Sequence, residues 1–510
     1  MYYICGMFVR KKLNKSGKIS IQVIQKLNGR NKVVKTIGCS NNAGVVEKLF
    51  LEGKEWINRL SGLQEFSFSS HKQELHQFIA GIESLTVIGI EKLLGKLFDE
   101  IGFGKVKDQM FRHLVLCRLV YPVSKLKTVD YLSKYHGLCI DINSVYRYMD
   151  KLHSKQKEAI QDISYAHTCE VLKEPLNLLF YDVTTLYFEI EQEDDLRKPG
   201  FSKDGKHSNP QIVLGLLVTQ QGYPVSYSIF EGNKYEGHTL MPIIVSFEHK
   251  YHVEKLIVVA DAGMLSKDNI RELKARGFEY ILGARIKNES EEIKQAILSR
   301  ELQNGQSCVL LNKENSDRLI VTYSSARAKK DAHNRRKGLD RLKTQIKNGQ
   351  LTKKHINNRG YNKFLKIENE VKVSLNEEMI TLDAKWDGLK GYLTNTGLAA
   401  NFIVESYQNL WNVEKAFRIA KSDLKVRPVY HRAQRRIEAH ICITFAAYKI
   451  YKELERQLKI KKAGLSPEKA IEIAKTIQKI TVTHPLSDHT VSKMLILTPE
   501  QQNLANLFDF

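Results

Sequence analysis

Two segments constrain this chain most: LNLLFYD, ending at Asp182, and KLIVVAD, ending at Asp261. Each is a nearly continuous apolar run of strand length that stops at an aspartate. Strands buried on both faces read this way, and they occur in sheets covered by helices on either side. In such sheets ligands collect at the carboxyl ends of the strands, which is where both acids stand. Aspartate after a strand also commonly caps the next helix, and Asp261 in VADAGMLSKDN suits that use. The pair therefore asks for a third acid before it implies chemistry.

The surrounding pattern predicts a mixed sheet. Over 171–284, NLLFYDVTTLYFEI, QIVLGLLVTQ and YPVSYSIF read as three successive strands, followed by a helix near TLMPIIVSFEHKY, the strand KLIVVAD, a second helix and the strand YILGA. Residues 1–65 alternate apolar and polar positions around Ser16-Gly17 and Asn28-Gly29, predicting a small β unit of antiparallel strands. Over 66–170 the period becomes helical. There INSVYRYMDKLHSKQ, with Ser144 as its cap, fits either a helix-turn-helix reader of DNA or an ordinary helical bundle; Arg112, Arg118, Lys125, Lys127 and Arg147 favour the reader.

Residues 285–395 read as a β-rich basic insertion, with the strand-like pieces SCVLLN, RLIVTYS, FLKIEN and KGYLTNT around a cationic run. That run, which includes Arg335, Arg336 and Lys337, is either a solvated charged helix or, being nearly one-signed, a surface for DNA phosphate. Residues 396–430 and 431–510 return to helix.

Lysine and arginine outnumber aspartate and glutamate by 79 to 57 over 510 residues, a net charge of +22. Clustered cations gain affinity for a phosphate backbone by releasing its condensed counterions, so nucleic acid is the expected partner and an anionic membrane the rival. No apolar stretch reaches the ~20 residues of a spanning helix, and MYYICGMFVRKK lacks the apolar core of a secretory signal. The expected location is the cytoplasm, nucleoid-associated when on DNA. Seven cysteines without C-x-x-C spacing argue against a disulfide framework or a zinc site.

The third acid is Glu414, in SYQNLWNVEKAFRIAKSDLK. Seven-residue spacing puts Tyr407, Glu414 and Lys421 on one helix face, which Trp411 and Arg418 share. Glu414 and Arg418 also suit a surface ion pair worth roughly 0.2–0.5 kcal/mol. An aromatic, a carboxylate and two cations on one face suit a groove that holds metal and phosphate. Three gathered carboxylates repel unless cations neutralise them, and hard oxygen ligands select magnesium or manganese. Two such ions about 3.5–4 Å apart activate the attacking oxygen and stabilise the leaving one in an in-line phosphoryl displacement.

Together YDVTTLYFE, GFSKDGKHSNPQIVLGLLV, FEGNKYEGHTL, VVADAGMLS and YQNLWNVEKAFRIAKSDLKVRPVYHRAQRRIEAHI resemble, over about 110–450, the DDE transposases of bacterial insertion sequences. The closest pattern is the superfamily with a Tyr-Arg-Glu-Lys signature on the helix of the last acid. The resemblance implies an α/β fold: a ribonuclease-H-like catalytic domain with a β-rich insertion, flanked by a small N-terminal β unit and helical N- and C-terminal regions. It implies that Asp182, Asp261 and Glu414 are catalytic and ligate two Mg2+ ions, with Mn2+ able to substitute. Tyr407 and Lys421 would hold DNA phosphate near the cut. The signature's arginine position is Leu410 here, and Arg418, one turn beyond Glu414, could supply that cation.

By the same resemblance a homodimer would hold both terminal inverted repeats, cut them to free 3′ hydroxyls and join these to target DNA. Trp386 would stack on an unpaired base, although a packed structural tryptophan is the commoner case. Thr184 and Thr185 would bond DNA or orient a ligand, unless they are ordinary strand residues. His431 and His440 fit phosphate contacts or packed side chains. The rival functions are a catalytically inactive transposase-derived DNA-binding protein, a ribonuclease-H-like nuclease such as a junction resolvase, and a basic RNA-binding protein. The last lacks its aromatic motifs here.

Overall fold

The computed structural model describes residues 6–27, 29–61, 75–76, 78–173, 176–189, 192–202, 205, 208–253, 255–311, 317–351, 353–357, 360–368, 372–483 and 489–510. Two units share the chain: Met1–Glu83 with Thr481–Ser492, and Ser84–Ile480 with Lys493–Phe510.

In the first unit the alternating pattern forms β1 (Met7–Leu13), β2 (Ile19–Leu27) and β3 (Arg30–Ser40), antiparallel in that order. Gly17, at φ 75°, supplies the left-handed residue of the first turn. Asn28 of the second turn lies outside the described residues. Strand alternation did not announce the helix Ala43–Ser61 that follows. It lies close to the sheet at Gly53, where a Cβ would stand 3.1 Å from Val9.

After β4 (Ile82–Val87), whose β-branched residues draw part of a helical-looking run into strand, come helices Lys96–Ile101, Gln109–Val120, Lys125–His136, Ile142–Lys151 and Lys157–Leu172. Asp141, not Ser144, caps the fourth of these: its carboxylate accepts from the Ser144 N–H at 3.2 Å. Three of the cations expected to face DNA turn inward. Arg118 and Lys125 are buried, and Arg112 is clasped by Glu91 and Asp99. The cause is packing of helices 109–120 and 142–151 against the long helix Gln434–Ile460, which gives a shared core of Val115, Leu119, Val145, Met149, Ile437 and Ile441.

The centre of the second unit is an eight-stranded sheet. Five strands are those expected over 171–284: β5 (Leu178–Tyr187), β6 (Gln211–Thr219), β7 (Pro224–Glu231), β8 (Ile257–Ala260) and β9 (Glu279–Ala284). The first three are antiparallel neighbours, and β8 and β9 add in parallel on the other side of β5 through helices Leu240–Tyr251 and Lys267–Ala275. This is the ribonuclease-H-like arrangement.

The later strands are β10 (Ser307–Leu311), β11 (Arg318–Tyr323), β12 (Leu365–Glu368), β13 (Lys372–Leu375) and β14 (Leu389–Thr394). β14, β11 and β10 continue the same sheet beyond β9, and β12 pairs with β13 alone. The cationic run is one helix, Ser325–Lys347, anchored through Leu342 to Phe364, Leu365 and Val373. Leu179, Tyr181 and Val183 of β5 pack with helix 240–251, while Phe180 and Leu186 face helices Trp411–Ser422 and 434–460. Helices therefore cover both faces.

Candidate active site

Strand alternation decides where the acids point. Phe180 and Val259 belong to the core under helices 411–422 and 434–460. Asp182 and Asp261 each lie two residues further and so face the same side. Tyr181 of β5 opposes Ala260 of β8 in parallel register. Asp182 is the next residue of β5, and Asp261 the first residue past β8. Asp261 Oδ1 accepts from the Gly263 N–H at 2.7 Å, and Asp182 Oδ1 from the Val183 N–H at 2.8 Å. Capping of the following helix falls to Ser266, which accepts from the Asn269 N–H at 3.1 Å. Asp261 is not spent on that task.

Glu414 is exposed on the first turn of helix 411–422, which packs on β5 and β6. The seven-residue face does not extend back to Tyr407, which belongs to a separate helix, Ala400–Gln408. Between them the chain tightens: Leu410 N–H donates to the Tyr407 carbonyl at 3.1 Å and Asn412 N–H to that of Asn409 at 2.9 Å. The Asn412 side chain then donates to Gln220 O at 2.7 Å, tying the second helix to the β6–β7 turn. Arg418 and Lys421 remain on the helix of Glu414.

Tyr407 is buried, with its hydroxyl against Gly283 of β9; a Cβ at Gly283 would overlap that oxygen and stand 3.0 Å from the Ala262 nitrogen. The phenol is pushed above its usual range by burial first, then by the negative charges of Asp261, Glu414 and Asp182 among its neighbours. Lys390 of β14, which sequence reasoning missed, sits 4.2 Å over the Tyr407 ring. Burial and Arg327 hold its ammonium down to about 8, against the pull of Glu414. Its one signal in the sequence is a cation inside the strand KGYLT.

Carboxylates suit an oxygen-seeking divalent cation. Among the described residues, however, no three His, Cys, Asp or Glu side chains stand close enough to form a ready-made metal group. The donors fit the ion in kind.

The sequence profile of the transposase DDE domain matches residues 175–450, more than half of the chain. The chain belongs to the transposase DDE domain family. Its function is DNA transposition. The matched region contains all three acids. No curated protein matches this transposase in sequence. Among solved structures it is similar to the piggyBac transposase synaptic complex with hairpin DNA, at 10% identity, covering 79% of each chain, with a TM-score of 0.39. It is also similar to the Mos1 mariner paired-end complex with Mn, at 10% identity over 31% of this chain and 54% of that one (TM-score 0.15). A Mos1 paired-end complex with the left transposon end matches at 11% identity over 45% and 71% (TM-score 0.16).

Other residues singled out from sequence take different places in the transposase. Arg335 makes a two-pronged bond to Asp387, at 2.5 and 2.6 Å, and is largely covered, so it braces the entry to β14 and does not face DNA. Arg336 and Lys337, its neighbours, are exposed beside His333 and Arg341. Trp386 is half-buried against the cluster of Ile286, Cys308 and Leu319. Thr184 and Thr185 are buried in β5, which removes them as DNA contacts. A cavity of about 1110 Å³ runs along edge strand β7 and helix 240–251 and is lined by none of the three acids. No described helix is long and apolar enough to cross a membrane.

Proposed function

We propose that this transposase cuts and joins DNA strands with Asp182, Asp261 and Glu414 as ligands of divalent cations, magnesium or manganese. What supports this is that Asp182 on β5 and Asp261 just past the neighbouring parallel strand β8 face one side, where the helix carrying Glu414 packs on β5 and β6. Bound there, two such cations would polarise the scissile phosphate and activate the attacking oxygen.

The chain's own residues do the rest. Gly263 N–H orients Asp261. Tyr407, turned inward onto Gly283, positions the Asp261 loop and is too enclosed to hold phosphate. Lys421 and Arg418, on the helix of Glu414, and Lys390 beside it place positive charge where DNA phosphate would lie, Arg418 standing in for the signature arginine absent at Leu410. The insertion-sequence origin, the terminal inverted repeats as substrate and a homodimer holding both ends belong to the same proposal.

The test is strand transfer: a labelled duplex bearing the element's own end, a target plasmid and Mg2+ are expected to yield a joined product, which EDTA abolishes and Mn2+ restores. Binding without cutting in either metal would leave a DNA-binding module and end the enzyme proposal. For the basic helix, Arg336→Gln with Lys337→Gln is expected to lower the slope of log K against log[salt] by up to about 2, near 0.9 per lost phosphate contact. Arg335→Gln, whose charge is spent on Asp387, should lower the melting temperature and leave that slope in place. Equal slopes for all variants would remove this helix from the DNA surface.

A further inference from the structure

We propose that Arg118, Lys125, His431 and His440 form a phosphate-binding pocket that the three-acid site does not include. Arg118 is 5% exposed, Lys125 4% and His440 5%. Buried cations ordinarily have a carboxylate partner, because an unpaired one costs several kcal/mol. Of the other buried cations among the described residues, Arg197 has Asp194 and Lys452 has Glu455, and Lys449, which has no ion pair, donates instead to Ser164 O and Thr168 Oγ1. Among the described residues neither Arg118 nor Lys125 has one. The Cys117 thiol, an acidic group that acts on both, is pushed up to about 12 by burial and so stays neutral.

The bonds that do exist leave donor capacity on Arg118 unused. Arg118 Nη1 reaches Leu424 O only at 3.4 Å, Nη2 reaches His440 Nδ1 at 3.4 Å, and Nε is buried with no partner. His440 Nε2 lies 3.1 Å from Val426 O, so that nitrogen carries the proton and Nδ1 is the acceptor. The His431 ring centre is 5.4 Å from that of His440. Burial and mutual repulsion hold Lys125, His431 and His440 all towards their neutral forms. A phosphate oxygen on Arg118 Nε and the Lys125 ammonium supplies the absent acceptors, since guanidinium and ammonium bind phosphate by charge-assisted hydrogen bonds. His431, partly exposed between the exposed Tyr430 and Arg432, marks the open side.

The phosphate comes either from the DNA backbone, which rests on the transposase reading, or from free inorganic phosphate. The full chain, Lys125→Met and His431→Gln would be melted in sodium phosphate and in sodium chloride of equal ionic strength, and their affinity for a duplex measured without divalent metal. Phosphate is expected to raise the parent's melting temperature by several degrees and to leave Lys125→Met unmoved. Without phosphate, Lys125→Met should melt no lower than the parent, because an unpaired buried cation has been replaced by an apolar chain of similar length. If duplex affinity also falls at least about fivefold in both variants, the ligand is the DNA backbone; if only the phosphate shift is lost, it is the free ion. Parent and both variants alike in phosphate and in duplex binding would overturn the pocket. So would a destabilised Lys125→Met alongside a His431→Gln that behaves as the parent. Neither readout uses cleavage, so loss of the three-acid proposal would not be mistaken for loss of this one.

Discussion

Asp182→Asn, Asp261→Asn and Glu414→Gln are each expected to reduce DNA cutting and joining on the order of 10³-fold or more. Each amide keeps the shape of its acid, and the amide oxygen can still accept the Gly263 N–H that orients position 261. On the proposed assignment each removes one anionic oxygen ligand, and a cation's contribution of several kcal/mol at the transition state converts to about three decades of rate. Stability should change by less than about 1 kcal/mol, because Asp182 and Asp261 are only partly buried and Glu414 is exposed. Product from a labelled duplex end in Mg2+ measures the first quantity and thermal melting the second. A variant that cuts at the parent's rate takes its acid out of the set.

Gly283→Ala is expected to cost about 1–3 kcal/mol as overpacking and, through the same displacement, to slow cutting. The added methyl would overlap the Tyr407 hydroxyl and press on the Ala262 nitrogen, one residue past Asp261. Tyr407→Phe removes the oxygen in the way, so Gly283→Ala with Tyr407→Phe should recover part of the loss, a coupling that a double-mutant cycle reads directly. Additive effects would mean that the hydroxyl and the glycine do not share that space.

The sheet was legible because its chemistry is local. A strand buried on both faces must be apolar along its length, so β5 and β8 announced themselves, and Asp182 within β5 and Asp261 just past β8 came with them. Glu414 was legible as a residue but not in its setting, since the break after Gln408 carries no proline or glycine. It is fixed by Asn412 reaching Gln220, nearly two hundred residues away in sequence. The same limit hid Arg118, whose contacts are Leu424 and His440, and Arg335, whose partner is Asp387. A cation's sequence neighbours say little about whether it meets water or a distant carboxylate. Lys390 was missed for a related reason: only the pairing of β14 with β9 carries it to Tyr407.

The split origin of the acids also sets a timetable. Asp182 and Asp261 belong to the first strands of the sheet to leave the ribosome, whereas Glu414 follows about 150 residues after Asp261, once β10, β11 and β14 have been made. At ordinary synthesis rates that interval lasts roughly 8–30 s. Through it the nascent chain holds two of the three proposed ligands, and a product truncated before residue 414 never acquires the third, so on that proposal an unfinished chain would not cut.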